Sequence, residues 1–307
     1  MIPGFGLVGA LEGAPILRIV SRGCWSGVSP FLPGNAVPSR RAILKMNLIN
    51  RTVCWYSCGA ASAVATKIAI DEFGSSPLTV ASIYLKREHE DNARFTKECA
   101  QWYGRTIHQL QDLEYDADPY VVFMRTRYLL GKDGAACTRI LKREVRESYQ
   151  KPCDRHVFGF TYDERDRFDR FLDANNHINS DAPLIRHRLT KRDCFGLLQK
   201  AGIELPMMYR LGYHNNNCIG CVKGAAGYWN KIRKDFPETF ELMAQTEEAL
   251  GPGRTTQVKI TVNGKRRRAT LRELPPDVGN YETEEHIECG AACQVAAFDY
   301  SDACDDL

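Results

Sequence analysis

The sequence predicts an α/β protein: a mainly parallel sheet with helices on both faces. Three observations predict it. Short apolar runs alternate with longer segments of helical spacing, as strands do when helical crossovers join them. One of these runs, Leu78–Leu85, is rich in Val, Ile and Ala, the composition of a strand buried on both sides. The first run leads directly into a turn of small residues and then a helix start, Tyr56-Ser57-Cys58-Gly59-Ala60-Ala61-Ser62-Ala63-Val64.

A length of 307 residues suits one large domain, or one domain with an appendage. The formal charge of +3 is small for that length, so composition alone does not mark a nucleic-acid binder. Twelve cysteines are the outlying number. In a long chain without a convincing signal peptide they read as cytosolic thiols kept for metal, cluster or redox chemistry, not as a disulfide framework. No apolar run approaches the length that crosses a bilayer, so a soluble, cytoplasmic protein is expected.

Residues 1–45 are rich in Gly and Pro, carry Ser39-Arg40-Arg41 and hold no sustained helical or strand period. They read as a disordered extension or a translated leader, with Met46 as the real start. A targeting peptide is the competing reading, because acids are sparse there. Residues 46–250 form the α/β domain, and 251–307 supply a β-hairpin and a cysteine-containing tail.

Within the domain, Arg51–Trp55 is the first strand and Ala60–Phe73 the first helix. After the strand Leu78–Leu85, Glu90–Tyr103 has helical spacing, with Phe95, Cys99 and Trp102 on one face. Arg105–Leu110 is a short strand, and Pro119–Leu130 a helix with Pro in its first turn. Cys137–Tyr149 is helical in composition, and His156–Phe160 is the next apolar strand. From about Pro183 to Asp235 the chain turns cysteine- and Asn-rich. Gln257–Val262, Asn263-Gly264 and Lys265–Leu271 spell a hairpin with an Asn-Gly turn. The tail after Pro275 is acidic.

Ligands of such sheets sit at the carboxyl ends of the strands. Two segments reach that rim: the turn after the first strand, and Gly159-Phe160-Thr161. A strand, a Ser/Gly/Ala turn and a helix start make a phosphate cradle, because unpaired N–H groups and the helix dipole both face the anion. Ser57, Cys58, Gly59, Ala60, Ala61 and Ser62 form it, and their small side chains let the backbone approach closely. An ordinary strand–helix turn is the alternative. The segment is neither a Walker A loop nor GxGxxG. It resembles the PP-loop of the adenine-nucleotide α-hydrolase superfamily, Ser-Gly-Gly-x-Asp-Ser, with Ala61 in place of the acid.

Cys218-Ile219-Gly220-Cys221 has the spacing that lets two thiolates bind one metal or cluster. Two ligands do not complete a site. Cys137 is the natural third, since it opens a basic helix carrying Arg139 and Lys142; a buried structural thiol is the bland alternative.

Together these segments resemble the phosphoadenosine phosphosulfate (PAPS) reductase family, in particular its divergent members from phages and mobile elements. The resemblance spans most of residues 46–293 and implies a Rossmann-like nucleotide-binding domain. It implies Gly159, Asp163, Glu164 and Arg167 at the strand end that faces the nucleotide, although Thr161 replaces the family's first Arg there. It implies a [4Fe–4S] iron–sulfur cluster on Cys137, Cys218 and Cys221, with Thr138 where a second Cys is usual. Either one iron stays open, or Cys153, Cys194 or Cys289 completes the set; zinc is the alternative metal. Glu288-Cys289-Gly290 resembles the motif that carries the sulfur-attacking thiol, which implies Cys289 as nucleophile and Cys293 as its resolving partner. A redundant or metal-binding tail pair is the competing reading.

The implied activity is reduction of, or sulfur transfer from, an adenylyl nucleotide (PAPS, APS or ATP), with thioredoxin or glutaredoxin as reductant. Loss of the acid at Ala61 removes a ligand for Mg-assisted ATP cleavage, which favours a ready-made adenylyl sulfate. A sulfur transferase acting on tRNA or DNA is the second reading, with Lys265-Arg266-Arg267-Arg268 tracking phosphates and Tyr228-Trp229 stacking on bases. A solvated hairpin tip and ordinary core aromatics are the alternatives. A third reading is a non-catalytic nucleotide- or nucleic-acid-binding protein. Asp91, Asn92 and Arg94, on the rim after the second strand, are expected near the ribose or adenine.

Overall fold

The computed structural model describes residues 16–19, 51–131 and 134–287. Six strands form one sheet: β1 (Ile16–Ile19), β2 (Arg51–Trp55), β3 (Leu78–Ile83), β4 (Ile107–Asp112), β5 (Asp154–Val157) and β6 (Asn179–Asp181). Their order is β1-β4-β3-β2-β5-β6, and every neighbouring pair is parallel. The protein is therefore the expected α/β fold with a mainly parallel sheet.

Side-chain alternation along β2 explains why both faces need cover. Val53 and Trp55 enter one core with Ala81, Leu110, Val145 and Phe171. Cys54, between them, enters the opposite core, built with Ala60, Ala63 and Val64 of helix α1 (Ala60–Phe73). Phe95 and Cys99 of α2 (Asn92–Tyr103) and Leu198 further along complete that layer.

Helix α3 (Pro119–Thr126) starts where Asp118 caps it by accepting from the Tyr120 N–H at 3.0 Å. The expected helix from Cys137 is real but irregular. Ala136–Thr138 is α-helical, Arg139–Glu144 is a π-helix, and Val145–Tyr149 returns to α. Such π-segments are rare and concentrate near functional sites. Helices α4 (Arg165–Ala174) and α5 (Lys191–Lys200) follow, the latter opened by a Thr190/Asp193 capping box.

A further core gathers Trp229 and Ile232 of α6 (Ala226–Asp235) with Met243 and Ala244 of α7 (Pro237–Leu250). Val258, Ile260, Ala269 and Leu271 of the hairpin region join it. Buried Glu247 pins the hairpin's base, accepting from the N–H groups of Thr256 at 2.7 Å and Leu271 at 2.6 Å. Tyr228 and Trp229 are thus core residues, not an exposed stacking surface. The Asn263-Gly264 turn has φ of 52° and 76°, the left-handed pair a type I′ turn requires. Among the described residues no helix is long and apolar enough to cross a membrane.

One buried group makes stability depend on pH. His156 on β5 is 1% exposed, and the Trp55 indole N–H donates to its Nδ1 at 3.1 Å. Burial lowers its pKa from 6.5 to about 4. Its folded pKa lies below the unfolded value, so its contribution is complete above pH 6.5 and is lost as pH falls toward 4. That loss should be about 3 kcal/mol. His156→Gln keeps an acceptor for the indole but cannot take the proton, and urea titrations of this variant should lack that component of the acid slope.

Candidate functional site

The strand order reverses at β2, with β3 and β4 on one side and β5 and β6 on the other. At a reversal the flanking crossovers leave in opposite directions, opening a crevice beyond the carboxyl ends. A cavity of about 250 Å³ lies there. The turn after β2 lines it with Ser57, Gly59, Ala61 and Ser62, and the segment after β5 with Gly159, Thr161, Asp163, Glu164 and Arg167.

The turn is laced to itself. Ser62 Oγ accepts from the Ser57 N–H at 3.0 Å and donates to the Gly59 carbonyl at 2.9 Å. Gly59 caps α1 without a side-chain hydrogen bond, and no acid stands in the first turn. The positive end of a 14-residue helix therefore faces the cavity without a built-in counter-anion. Tyr209 covers the turn, with its hydroxyl 3.4 Å from the Ala60 N–H. Cys58 and Ala60 turn the other way, into the core beneath α1. Burial pushes the Cys58 thiol up to about 12, and its Sγ lies 3.3 Å from Thr96 Oγ1.

Cations and anions share the cavity wall. Arg167 ion-pairs with Glu164, whose other oxygen accepts from the Thr161 N–H at 2.9 Å. Lys191, which the sequence did not single out, reaches in from the start of α5 and donates to the His214 carbonyl and Asn215 Oδ1. His286 also lines the cavity, its ring 4.3 Å from that of His214, which stacks at 4.4 Å on Tyr281. The Asn215 and Asn217 amides hold the Ile287 carbonyl at 2.9 and 2.6 Å. Cys289 and Cys293 lie outside the described residues.

Cys137, Cys218 and Cys221 line a second cavity of about 20 Å³, together with Arg87, Tyr120 and Lys142. Consecutive residues connect the two: Asn217 lines the first cavity and Cys218 the second. The Cys-x-x-Cys turn is held tightly. The Tyr228 hydroxyl accepts from the Cys221 N–H at 2.9 Å and lies 3.4 Å from the Cys218 carbonyl. Gly220 has φ +74°, and a Cβ there would stand 2.6 Å from Thr239 Cγ2.

Among the described residues no group of three or more His, Cys, Asp or Glu side chains could hold a single metal ion. A polynuclear cluster places its own atoms between the thiolates, so its ligands stand farther apart than those of one ion. The donor set is soft, which suits iron–sulfur ligation. Tyr120 adds a second sign: its hydroxyl is buried without a hydrogen-bond partner on the wall of the thiol cavity. It is a donor facing a place for an acceptor such as sulfide. Thiolates of this kind suit zinc and iron–sulfur ligation alike.

The remaining candidates fall elsewhere. Cys194 is fully buried in the core beneath α1, its thiol pushed up by burial to about 12. Cys153 stands at the amino end of β5, in a separate cleft with His177. Neither reaches the thiol cavity as a fourth ligand. Asp91 and Arg94 do not line the first cavity. They pair with each other at 2.7 Å, and Arg94 also binds the Glu204 and Leu205 carbonyls. In the hairpin, Arg267 pairs with Glu273 at 2.7 Å, while Lys265 and Arg266 are exposed.

No protein-family model matches the chain, and no curated protein matches it. Solved structures similar to it include a phosphoadenylyl-sulfate (PAPS) reductase from Candida auris in a phosphate complex. That likeness has 12% identity and a TM-score of 0.42, over 60% of this chain and 98% of the other. Another is the U34-tRNA thiolase NcsA from Methanococcus maripaludis with its [4Fe–4S] cluster, at 14% identity and a TM-score of 0.33, over 66% of this chain and 72% of the other. At these values neither likeness assigns a function.

Proposed function

We propose that the chain binds an adenylyl nucleotide in the crevice between β2 and β5 and performs thiol-based sulfur chemistry on it, as an adenylyl-sulfate reductase of the PAPS reductase type. The observation that carries this reading is the pair of adjoining cavities. An uncapped helix start with Lys191 and Arg167 forms one, three cysteines line the other, and Asn217-Cys218 joins them. The motif resemblance supports the same assignment.

In this mechanism the N–H groups of Gly59, Ala61 and Ser62, with Lys191, hold the nucleotide's phosphate. Cys289 follows His286, a wall of the cavity, by only three residues. Its thiolate attacks the sulfur of the adenylyl sulfate. An S–S bond forms, the S–O bond to the nucleotide breaks, and the nucleotide leaves with that electron pair. The Cys293 thiolate then attacks Cys289 Sγ and releases sulfite, and thioredoxin or glutaredoxin reduces the resulting disulfide. Cys137, Cys218 and Cys221 would hold the cluster, which would supply Lewis-acid chemistry at an iron left without a thiolate.

Labelled adenylyl sulfate with the thioredoxin system should yield sulfite, and Cys289→Ser should lower the rate at least about a hundredfold. No sulfite from either the 3′-phosphorylated or the unphosphorylated donor would end this reading. One observation favours a second reading, sulfur transfer to tRNA or DNA: three cluster thiols instead of four, with Lys265 and Arg266 exposed on the hairpin. ATP cleavage to AMP that requires added RNA or DNA would select it.

A further inference from the structure

Asn216 lines the first cavity, 6% exposed, two residues before Cys218 on the wall of the second. Its side-chain amide donates to the Cys58 carbonyl at 2.8 Å and to Asn92 Oδ1 at 2.7 Å. The orientation is dictated from outside. Asn92 Nδ2 donates to Glu88 Oε2 at 3.0 Å, which leaves the Asn92 oxygen turned toward Asn216. Glu88 in turn lies 3.9 Å from Lys142, a wall of the thiol cavity. Both amide hydrogens of Asn216 are thereby spent, and its Oδ1 is buried without a partner.

The Cys58 carbonyl is no arbitrary acceptor. It belongs to the same peptide plane as the Gly59 N–H, and no peptide bond among the described residues is cis. In a trans peptide the two groups point in opposite directions. Holding the carbonyl on Asn216 therefore fixes the plane of the 58–59 peptide, and with it the direction of the Gly59 N–H. Cys58 keeps a left-handed φ of +55°, an uncommon setting for a non-glycine residue. A peptide so set needs an external anchor, and Asn216 is that anchor.

We propose that Asn216 couples the nucleotide site to the thiol site: it fixes the 58–59 peptide for phosphate binding and transmits occupancy of that turn to the loop bearing Cys218 and Cys221. This deepens the proposed function and rests on its reading of the Ser57–Ser62 turn as a phosphate site. Asn216 is a positioning residue, acting through the peptide and the loop it joins. A phosphate on the Gly59 N–H stiffens the peptide, the amide and the 216–221 loop together. The buried thiols then open to solvent less often.

The test reads the coupling itself, with AMP as the probe. The chain is reduced, stripped of metal with a chelator, and alkylated with iodoacetamide. Each cysteine is followed by peptide mass spectrometry, and AMP binding is measured in parallel by calorimetry. Saturating AMP should slow Cys218 and Cys221 by at least about fivefold, the lower range of ordinary coupling. Cys153, at the opposite end of β5, should react at an unchanged rate. In Asn216→Ala at saturating AMP the protection should shrink below about twofold. Bound AMP without protection in the wild type would overturn the coupling and leave the phosphate site standing. Failure of AMP to bind would overturn both. Full protection in Asn216→Ala would also overturn it. Should that variant not fold, Asn216→Asp, which keeps the size but whose carboxylate cannot donate to the Cys58 carbonyl, decides in the same way: reduced protection supports the coupling, wild-type protection ends it.

Discussion

Gly159→Ala should weaken adenine-nucleotide binding by at least about tenfold, the loss of roughly one hydrogen bond to a charged group. A Cβ at Gly159 would stand 2.6 Å from the Ser62 nitrogen, 2.7 Å from Ser62 Cα and 2.9 Å from the Ala61 carbonyl carbon. All three atoms are backbone in the first turn of α1, so no rotamer change relieves the contact. The other side cannot yield easily either. β5 is paired in register with β2 through Cys54 and Val157, and the Phe158 N–H donates to the Asp181 carbonyl at 2.9 Å. The first turn of α1 must move, and its N–H groups then lose their common focus. Overpacking of this kind costs about 1–3 kcal/mol, so Tm should fall by about 5 °C. Gly196→Ala is the control, because a Cβ there meets nothing within 4 Å. It should leave both quantities unchanged or raise Tm slightly. Calorimetry with AMP on both variants checks the pair, and wild-type affinity in Gly159→Ala would mean that the turn is not the binding element.

Much of this arrangement was legible in the residues, because local signals and tertiary demands coincide there. Ala60–Phe73 and the Asn263-Gly264 hairpin stand where their patterns put them. Cys218-x-x-Cys221 announced itself by spacing, and Cys137, far away in sequence, does share its cavity. β6 was not legible. Asn179-Ser180-Asp181 is three polar residues long and is a strand only because β5 offers it an edge. The π-helix at Arg139–Glu144 leaves no compositional trace, since its residues are ordinary helix formers. Lys191 and His286 are single polar residues at the ends of segments remote in sequence from the Ser57–Ser62 turn, and only the folded chain brings them to its cavity. Asp91 and Arg94 follow the second strand as expected but do not line the cavity, because the 204–207 segment packs over them and takes their hydrogen bonds.

Cys137→Ser, Cys218→Ser and Cys221→Ser should each lose essentially all bound iron and acid-labile sulfide after anaerobic purification. Cys153→Ser should keep both. Serine preserves size but replaces a soft thiolate with a hydroxyl that stays protonated at neutral pH, so a three-thiol site has no reserve ligand. Gly220→Ala should do nearly as much harm without touching a thiol. Gly220 holds φ +74°, and an added methyl would meet Thr239 Cγ2 at 2.6 Å and Trp229 Cη2 at 3.3 Å. The turn would have to abandon the Tyr228 hydroxyl, which holds the Cys221 N–H at 2.9 Å. The thiols would then keep their chemistry but lose their preset geometry, and metal content should fall by more than about half while AMP affinity falls less than tenfold. Iron, sulfide and zinc analysis across the five variants separates the cases. A colourless wild type with one zinc per chain would remove the cluster, whereas iron retained in Cys137→Ser would remove that residue from the ligand set and leave Cys218 and Cys221 in it.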